Sequence, residues 1–231
     1  MYKETKYLNA GDKALVIEFS NKISDEVNSK VRSMMIAIKQ RNLEYIVETI
    51  PTYRSLMVNY NPLKIEYDEL ISSLKDIEKN LGNIEIPLPK VIEIPTLYGG
   101  EYGPDIENVA KHNNLSIDEV IKIHSSKEYL IYMLGFTPGF PYLGGMDKRL
   151  ETPRLKVPRT KIPSGSVGIA SKQTGIYPID SPGGWQLIGR TPLKLFDTNK
   201  ENPFLLSAGS YIKFIPITKK EFDIINTGGE L

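Results

Sequence analysis

The sequence contains no cysteine and only two histidines among its 231 residues. Without cysteine it can form no disulfide, no thiolate nucleophile and no Cys-ligated metal site, and two histidines provide few ligands for zinc. No apolar run approaches the ~20 residues that span a bilayer. Residues 1–6 lack the apolar core of a signal peptide. These absences predict a cytoplasmic protein that binds no metal and no membrane.

The sequence also lacks an excess of charge of either sign. Lysine and arginine together number 29 and aspartate and glutamate 28, so the formal net charge is +1. A balanced chain gives no reason to expect nucleic acid or an anionic membrane as a partner. Its 40% hydrophobic and 25% charged residues are ordinary globular values. The length is suitable for one large domain or two small ones.

Apolar residues recur at helical spacing twice in the first third of the chain. The two stripes are Val27, Val31, Met34, Met35 and Ile38, and Leu70, Ile71, Leu74, Ile77 and Leu81. Apolar and β-branched runs at residues 14–19, 44–50 and 53–60 predict strands. The order βαββα is typical of a ferredoxin-like α+β domain, in which two helices cover one face of the sheet.

Two prolines, at residues 87 and 89, end this pattern. They predict a linker over residues 85–89, which would separate a domain of residues 1–84 from one of residues 90–231. A strand over residues 91–94 fits either domain, and we assign it to the second because it follows the prolines. The later strands are expected at residues 128–136, 167–170, 186–188, 193–196 and 211–217. This regular spacing predicts an antiparallel sandwich or barrel, so the fold class is α+β.

Glycine and proline concentrate between residues 135 and 191, in the runs GFTPGFPYLGG (135–145) and SPGGWQLIGRT (181–191). Glycine permits positive φ and proline fixes φ, so these runs specify backbone shape. The same runs contain aromatic residues that a plain surface loop would not need: Phe136, Phe140, Tyr142 and Trp185. Rigid turns that present aromatic side chains indicate a shaped binding surface.

Six cations and one carboxylate, Glu151, lie between residues 148 and 161. A Pro-Arg pair occurs twice, at Arg154 and Arg159, and the planar fork of arginine is suited to binding carboxylate or phosphate. Another arginine, Arg190, follows the second glycine-rich run. Hydroxyls and backbone N–H groups at Ser164, Gly165 and Ser166 could bind an oxyanion. The alternative is a solvated loop between strands, and the sequence leaves both possibilities open.

The helix predicted after Ser116 carries His124 on its apolar face. His124 is either a buried histidine with a local hydrogen-bond partner or a ligand-facing donor or base. Other candidate bases near the motifs are Asp147, Glu151 and Asp180, and no G-x-S-x-G nucleophile motif occurs. The surface therefore has groups for holding an anion and few for acid–base chemistry. This imbalance predicts a site that another chain completes.

The glycine-rich motifs, with the Pro-Arg pairs, Gln173 and the Ile-Tyr-Pro sequence at residues 176–178, closely resemble the KipI/PxpB family, also known as allophanate hydrolase subunit 1. The resemblance covers nearly the whole chain. It implies a small α/β domain followed by a cyclophilin-like antiparallel β-barrel. It also implies one subunit of a bacterial ATP-dependent 5-oxoprolinase, with ATP as co-substrate, a KipA/PxpC-type subunit and a LamB/YcsF-type PxpA subunit as partners, and no activity of the chain alone.

Relatives with this resemblance also inhibit a sporulation histidine kinase or form part of allophanate- and urea-handling enzymes, and these functions remain alternatives. Combined with the residue patterns, the resemblance implies four catalytic candidates: His124, Arg154, Arg159 and Arg190. The substrate-binding candidates are Phe136, Pro138, Gly139, Phe140, Tyr142, Ser164, Gly165, Ser166, Gln173, Tyr177, Pro182, Gly183, Gly184 and Trp185.

Overall fold

A computed structural model of the chain describes residues 2–83 and 89–229. The contacts within the chain divide it into two compact units, the first ending at Leu88 and the second beginning at Pro89. The predicted linker over residues 85–89 lies outside the described residues except for Pro89, so its structure stays a prediction. No helix within the described residues has the length and apolar character needed to cross a membrane.

The first unit is a sheet of antiparallel strands covered by helices. Its elements are β1 (Lys6–Asn9), β2 (Ala14–Glu18), α1 (Asp25–Arg41), β3 (Ile46–Pro51), β4 (Ser55–Tyr60) and α2 (Tyr67–Lys79), with a short 3-10 helix at Leu81–Asn83. The strand order is β1-β2-β4-β3, and every pairing is antiparallel. The predicted strands and helices are confirmed. The edge strand β1 was not predicted, because its short KYLN sequence is mostly exposed and shows no apolar alternation.

The helix stripes form the core of the first unit. Ser24 begins α1, and its hydroxyl accepts a hydrogen bond from the backbone N–H of Val27. Val31 and Met34 of α1 and Leu70 and Leu74 of α2 are fully buried against the strand residues. At ~25 cal/mol per Å² of apolar area, such side chains each contribute about 1.5–3 kcal/mol. The amphipathic spacing therefore accounts for this unit's packing.

The second unit is a nearly closed, barrel-like sheet. Its strands are β5 (Val91–Tyr98), β6 (Glu128–Leu134), β7 (Pro141–Leu143), β8 (Arg159–Ile162), β9 (Ser166–Ala170), β10 (Gln173–Ile176), β11 (Ser181–Gly183), β12 (Gln186–Arg190) and β13 (Tyr211–Pro216). Seven of them form a sheet in the order β10-β9-β12-β5-β13-β6-β7, and β11 pairs with β8. The two ends approach each other closely: a Cβ on Gly175 of β10 would lie 3.4 Å from the Pro141 carbonyl oxygen of β7.

Three helices accompany this sheet: α3 (Ile106–His112), α4 (Ile117–Ser125) and α5 (Lys219–Asn226). Ser116 and Glu119 form a capping box at the start of α4, the helix predicted after Ser116. A second short 3-10 helix occupies Lys148–Leu150. Apolar residues of α3 and α4 pack with strand residues such as Ile131 and Phe214 in one core cluster. A smaller cluster around Phe140 and Trp185 lies apart from it.

Two predictions for this unit are wrong. The sheet is not wholly antiparallel, because β13 pairs with β5 in parallel, with Tyr211 opposite Val91. Residues 193–196 form no strand, and only an isolated bridge joins Phe196 to Phe204. The short strands β7, β8, β10 and β11 and helix α5 were not predicted. Each of these four strands has only three or four residues, which is too short a pattern to reveal a strand.

Candidate active site

The loop after β6 is held in a strained, hydrogen-bonded shape. Phe136 has φ +63°, and the Thr137 N–H donates to the Gly135 carbonyl across it at 2.7 Å. An i→i+2 bond around a positive φ is the rare, strained form of γ turn. Bonds of 3.1 Å from Gly135 N–H to the Phe140 carbonyl and of 3.0 Å from Phe140 N–H to the Thr137 carbonyl close the loop. The loop consequently presents Phe136 outwards, with 69% of the residue exposed.

The loop forms one wall of a cavity of about 200 Å³. All ten lining residues are among the candidates named from the sequence: Phe136, Phe140, Tyr142, Arg154, Gln173, Tyr177, Pro182, Gly183, Gly184 and Trp185. The Phe140 ring packs edge to face against four aromatic rings. The centroid distances are 5.3 Å for Tyr142, 5.6 Å for Trp185, and 5.7 Å for both Phe136 and Tyr177. This geometry is the favourable one for aromatic pairs. The cavity therefore has rigid aromatic walls.

Glycine is required at Gly183 to leave room beside Tyr177. A Cβ there would overlap the Tyr177 hydroxyl and lie 2.8 Å from Ile162 Cδ1. Gly183 belongs to β11, which also holds Pro182 at the cavity wall. The glycine thus keeps the backbone against the tyrosine hydroxyl.

Tyr177 provides a protonated hydroxyl in this cavity. Burial raises its pKa to about 12, although a hydrogen bond from the Trp185 backbone N–H and the nearby charges of Arg154 and Arg159 oppose the rise. The hydroxyl therefore keeps its proton at neutral pH and can donate it to a ligand oxygen.

Arg154 is the cation that lines the cavity, and it forms no ion pair within the described residues. Other cations of the same loop are occupied: Arg149 lies 2.9 Å from Asp147, and Lys161 lies 3.0 Å from Asp180. The Arg149 hydrogen bonds hold the pKa of Asp147 well below its usual range. Arg154 is consequently the guanidinium of this loop that is placed to meet an anion in the cavity.

Arg159 does not line the cavity but forms contacts behind it, to Asp105 and to the backbone of Trp185. Its guanidinium lies 2.7 Å from the buried carboxylate of Asp105, and another of its nitrogens donates to the Trp185 carbonyl at 3.5 Å. Asp105 in turn accepts from the Leu187 N–H at 2.7 Å. The predicted direct catalytic role does not fit this placement, because the side chain is already paired. Asp105 was missed in the sequence because its partner is distant in the chain.

His124 lies in the core, not in the cavity. Its Nδ1 is 2.8 Å from the Tyr98 hydroxyl and its Nε2 is 2.8 Å from Thr174 Oγ1. The Thr174 proton is used in a bond to the Gly168 carbonyl, so Nε2 carries the histidine proton and Nδ1 accepts. Burial lowers the pKa of His124 to about 3. These contacts match the buried histidine of the first alternative and not a ligand-facing base.

The remaining candidates also lie outside the cavity. In the described part of the chain, the N–H groups of Ser164, Gly165 and Ser166 donate to Asp180, Tyr177 and Pro163 respectively, so they are not free to bind an oxyanion. Arg190 donates through Nε to the Ser164 carbonyl at 2.9 Å. Pro138 and Gly139 belong to the strained loop, where Gly139 takes φ +83° close to Phe196 and Pro178. These residues support the shape of the surface.

Comparison with known proteins identifies the family. The family model for the carboxyltransferase domain, subdomain C and D, matches residues 5–206. The B subunit of 5-oxoprolinase from Bacillus subtilis (strain 168) is 46% identical over 223 residues, which are 92% of this chain and 92% of that protein. The protein of the same name from Escherichia coli O157:H7 is 42% identical, covering 89% of this chain and 93% of its own length. The chain belongs to the family of 5-oxoprolinase B subunits.

Solved structures share the fold of this member of the 5-oxoprolinase B subunits. A conserved uncharacterized protein from Pyrococcus horikoshii is 52% identical, with a TM-score of 0.57, and the match covers 94% of this chain and 100% of that one. The K. lactis urea amidolyase has a TM-score of 0.72 at 22% identity, over 96% of this chain and 15% of the amidolyase. The second likeness concerns the fold alone.

The cavity of this family member has recognition groups and few catalytic ones. Its lining combines aromatic rings, one arginine, a glutamine amide and two tyrosine hydroxyls, with no aspartate, glutamate or histidine among the ten lining residues. No group of three or more metal-ligating side chains occurs within the described residues. The aromatic side chains can pack against the ring of a small molecule, and Arg154 can bind its negative charge.

Proposed function

We propose that the chain is the B subunit of an ATP-dependent 5-oxoprolinase, which opens 5-oxoproline to L-glutamate. The observation that carries the proposal is the aromatic cavity with its unpaired Arg154 and protonated Tyr177. Two relatives named as B subunits of 5-oxoprolinase match nearly their whole length. The enzyme acts in the cytoplasm as a complex with a KipA/PxpC-type subunit and a LamB/YcsF-type subunit.

The cavity suits the lactam and not the nucleotide. A cavity of about 200 Å³ has room for a small molecule. A five-membered lactam with one carboxylate is of this size, whereas a nucleoside triphosphate is several times larger. We place the carboxylate at Arg154, the ring between Phe140 and Trp185, and the lactam oxygen near the Tyr177 hydroxyl. ATP then binds on a partner subunit.

The proposed chemistry explains the need for ATP. An amide carbonyl is a poor electrophile, so transfer of the γ-phosphoryl group to the lactam oxygen creates a leaving group. One water then attacks the same carbon and the ring C–N bond breaks, which gives an acyl phosphate and a free amine. A second water hydrolyses the acyl phosphate, which releases phosphate and leaves the carboxylate of glutamate. Arg154 and the aromatic walls orient the substrate and exclude solvent. The base that activates water comes from a partner, so this chain alone is inactive.

We also propose the finer fold assignments that the sequence suggested. In the first unit β1 pairs with β2 and occupies the edge beside it, which is the place of the last strand in a ferredoxin-like sheet. The second unit, with its nearly closed sheet, is a cyclophilin-like barrel. Neither likeness by itself determines function.

The test is co-expression of the three subunits, followed by measurement of ATP hydrolysis that depends on 5-oxoproline. Arg154→Ala should raise KM by about 10–100-fold with little change in kcat, because a charge-assisted hydrogen bond to a non-reacting carboxylate contributes about 1.5–3 kcal/mol. Arg149→Ala is the matched control, since Arg149 is paired with Asp147 outside the cavity.

Four results would contradict the proposal. An unchanged KM in Arg154→Ala would reject the binding mode. ATP-dependent turnover by the purified single chain would reject the need for partners. Hydrolysis stimulated by allophanate and not by 5-oxoproline, or inhibition of a histidine kinase without any turnover, would assign the chain to one of the alternative functions.

A further inference from the structure

Two large exposed apolar side chains are Phe136, which lines the cavity, and Val157, whose segment contacts the cavity residue Gly184. Phe136 is 69% exposed and Val157 is 79% exposed. Val157 belongs to the segment 153–158, which forms the wall beside Gly184: the Leu155 N–H donates to the Gly184 carbonyl at 2.7 Å. The same segment carries Arg154 and Lys156, both exposed. We call Phe136, Arg154, Lys156 and Val157 the pocket rim.

The backbone at Phe136 is strained in a way that maintains this exposure. A non-glycine residue in the left-handed region costs roughly 1–2 kcal/mol, and such strain persists only where the surroundings impose it. Here the three hydrogen bonds within residues 135–140 impose it. The ring touches Phe140 by an edge at 5.7 Å and is otherwise left largely in solvent. Exposure of Phe136 is therefore a built feature of the loop.

The pocket rim is positively charged. Arg154 and Lys156 form no ion pair within residues 2–83 and 89–229, whereas Arg149, Arg159 and Lys161 of the same stretch are each paired. The cavity lining adds no carboxylate to offset them. When Arg154 binds the substrate carboxylate, Lys156 is still uncompensated, and a surface that combines exposed apolar side chains with such a cation is complementary to an apolar surface that carries carboxylates.

We propose that the pocket rim is the docking surface for a protein partner whose contact face has an apolar centre and acidic side chains. Docking closes the mouth of the cavity and brings to it the acid–base groups that the lining lacks. The proposal rests on the proposed function in one respect, since it takes that partner to be another component of the enzyme.

The test uses titration calorimetry to measure how tightly this chain binds its cognate KipA/PxpC-type subunit. Val157→Glu places a carboxylate among the acidic groups expected on the partner and should weaken Kd by at least about 10-fold. Leu63→Glu is the matched control, because Leu63 is an even more exposed apolar residue in the first unit. Circular dichroism and thermal unfolding verify that both variants are folded. Affinity of the wild type should also fall as salt increases.

A second measurement separates this proposal from the proposed function. Trp185, the chain's one tryptophan, lines the cavity, so its fluorescence reports 5-oxoproline binding to the isolated chain. Val157→Glu should bind 5-oxoproline as the wild type does. If the wild type binds no 5-oxoproline, the proposed substrate is rejected. If Val157→Glu nevertheless binds the partner more weakly than the wild type does, the docking surface is still supported.

The docking surface itself is overturned by any of three results. These are wild-type partner affinity in Val157→Glu, an equal loss of affinity in Leu63→Glu, and no measurable binding by the wild type. Self-association of the isolated chain that Val157→Glu abolishes would instead assign the pocket rim to a second copy of the chain.

Discussion

Arg154 and Arg159 follow prolines in one short loop, yet they meet opposite surroundings. Arg159 begins β8 and is paired with buried Asp105, so its charge is used within the fold. Arg154 lines the cavity and has no such pair within the described residues. The difference comes from a carboxylate far away in the chain and not from the local sequence. Identical dipeptides can therefore place one arginine in an ion pair within the fold and the other at an open cavity.

His124 and Phe136 extend this comparison to uncharged groups. Both ring nitrogens of His124 form hydrogen bonds inside the core, just as the guanidinium of Arg159 forms an ion pair with Asp105. Phe136, like Arg154, is displayed at the cavity mouth. The second unit thus contains side chains whose contacts are completed within the chain and others that face the cavity or solvent.

Among Arg159, His124 and Phe136, the largest effect on stability is expected from breaking the ion pair of Arg159. Asp105→Asn removes a buried carboxylate and leaves Arg159 without its charged partner. Breaking a buried pair costs about 3–5 kcal/mol, and the partial exposure of Arg159 reduces this to roughly 2–3 kcal/mol. Urea unfolding followed by Trp185 fluorescence measures the loss. Asp180→Asn, at the exposed Lys161 pair, should behave as the wild type, and equal loss in both variants would contradict this expectation.

An intermediate effect is expected from pH acting on His124. Burial lowers the pKa of His124 from 6.5 to about 3, so the unfolded chain binds this proton more readily than the folded one. The stabilising contribution is complete above pH 6.5 and is lost as pH falls towards 3, at up to ~1.4 kcal/mol per pH unit.

The measurement compares urea unfolding of the wild type and His124→Gln at several pH values between 7 and 5. The variant should be less stable at neutral pH and should lose less stability on acidification. The difference between the two proteins isolates His124 from carboxylates such as Asp147. Parallel pH profiles would show that His124 does not contribute.

The smallest effect on stability is expected at Phe136. Phe136→Gly relieves the positive-φ strain and loses only an exposed ring, so the unfolding free energy should change by less than ~1 kcal/mol. Phe140→Ala, four residues along the same loop, removes a buried ring and should cost about 3–5 kcal/mol. A Phe136 variant as unstable as the Phe140 variant would mean that the exposed ring supports the fold.

Long periodic elements were predictable from the sequence. The stripes from Val27 to Ile38 and from Leu70 to Ile77 identified both helices of the first unit, and apolar runs identified the central strands. The failures have a physical reason. The strands β8 and β11 contain few apolar residues and form because they pair with each other. The local sequence does not show such a pairing.

Seven of the ten cavity residues were recognisable because glycine, proline and aromatic motifs concentrate there, Arg154 followed from its Pro-Arg pair, and Gln173 and Tyr177 followed from the family resemblance. Which cation would line the cavity was not recognisable. That outcome depends on Asp105, whose side chain does not cap α3 but turns to Arg159 and Leu187 instead. Ser164 to Ser166 likewise looked like free donors, although tertiary contacts occupy their N–H groups.

The parallel pairing of β13 with β5 has a consequence for synthesis of the chain. β5 is the first strand of the second unit, yet it lies at the centre of the sheet between β12 and β13, which are made last. Its neighbours emerge only after almost the whole unit has left the ribosome. Pairings between such distant segments form slowly. We therefore expect the barrel to fold after translation, while the first unit can fold as the chain is made.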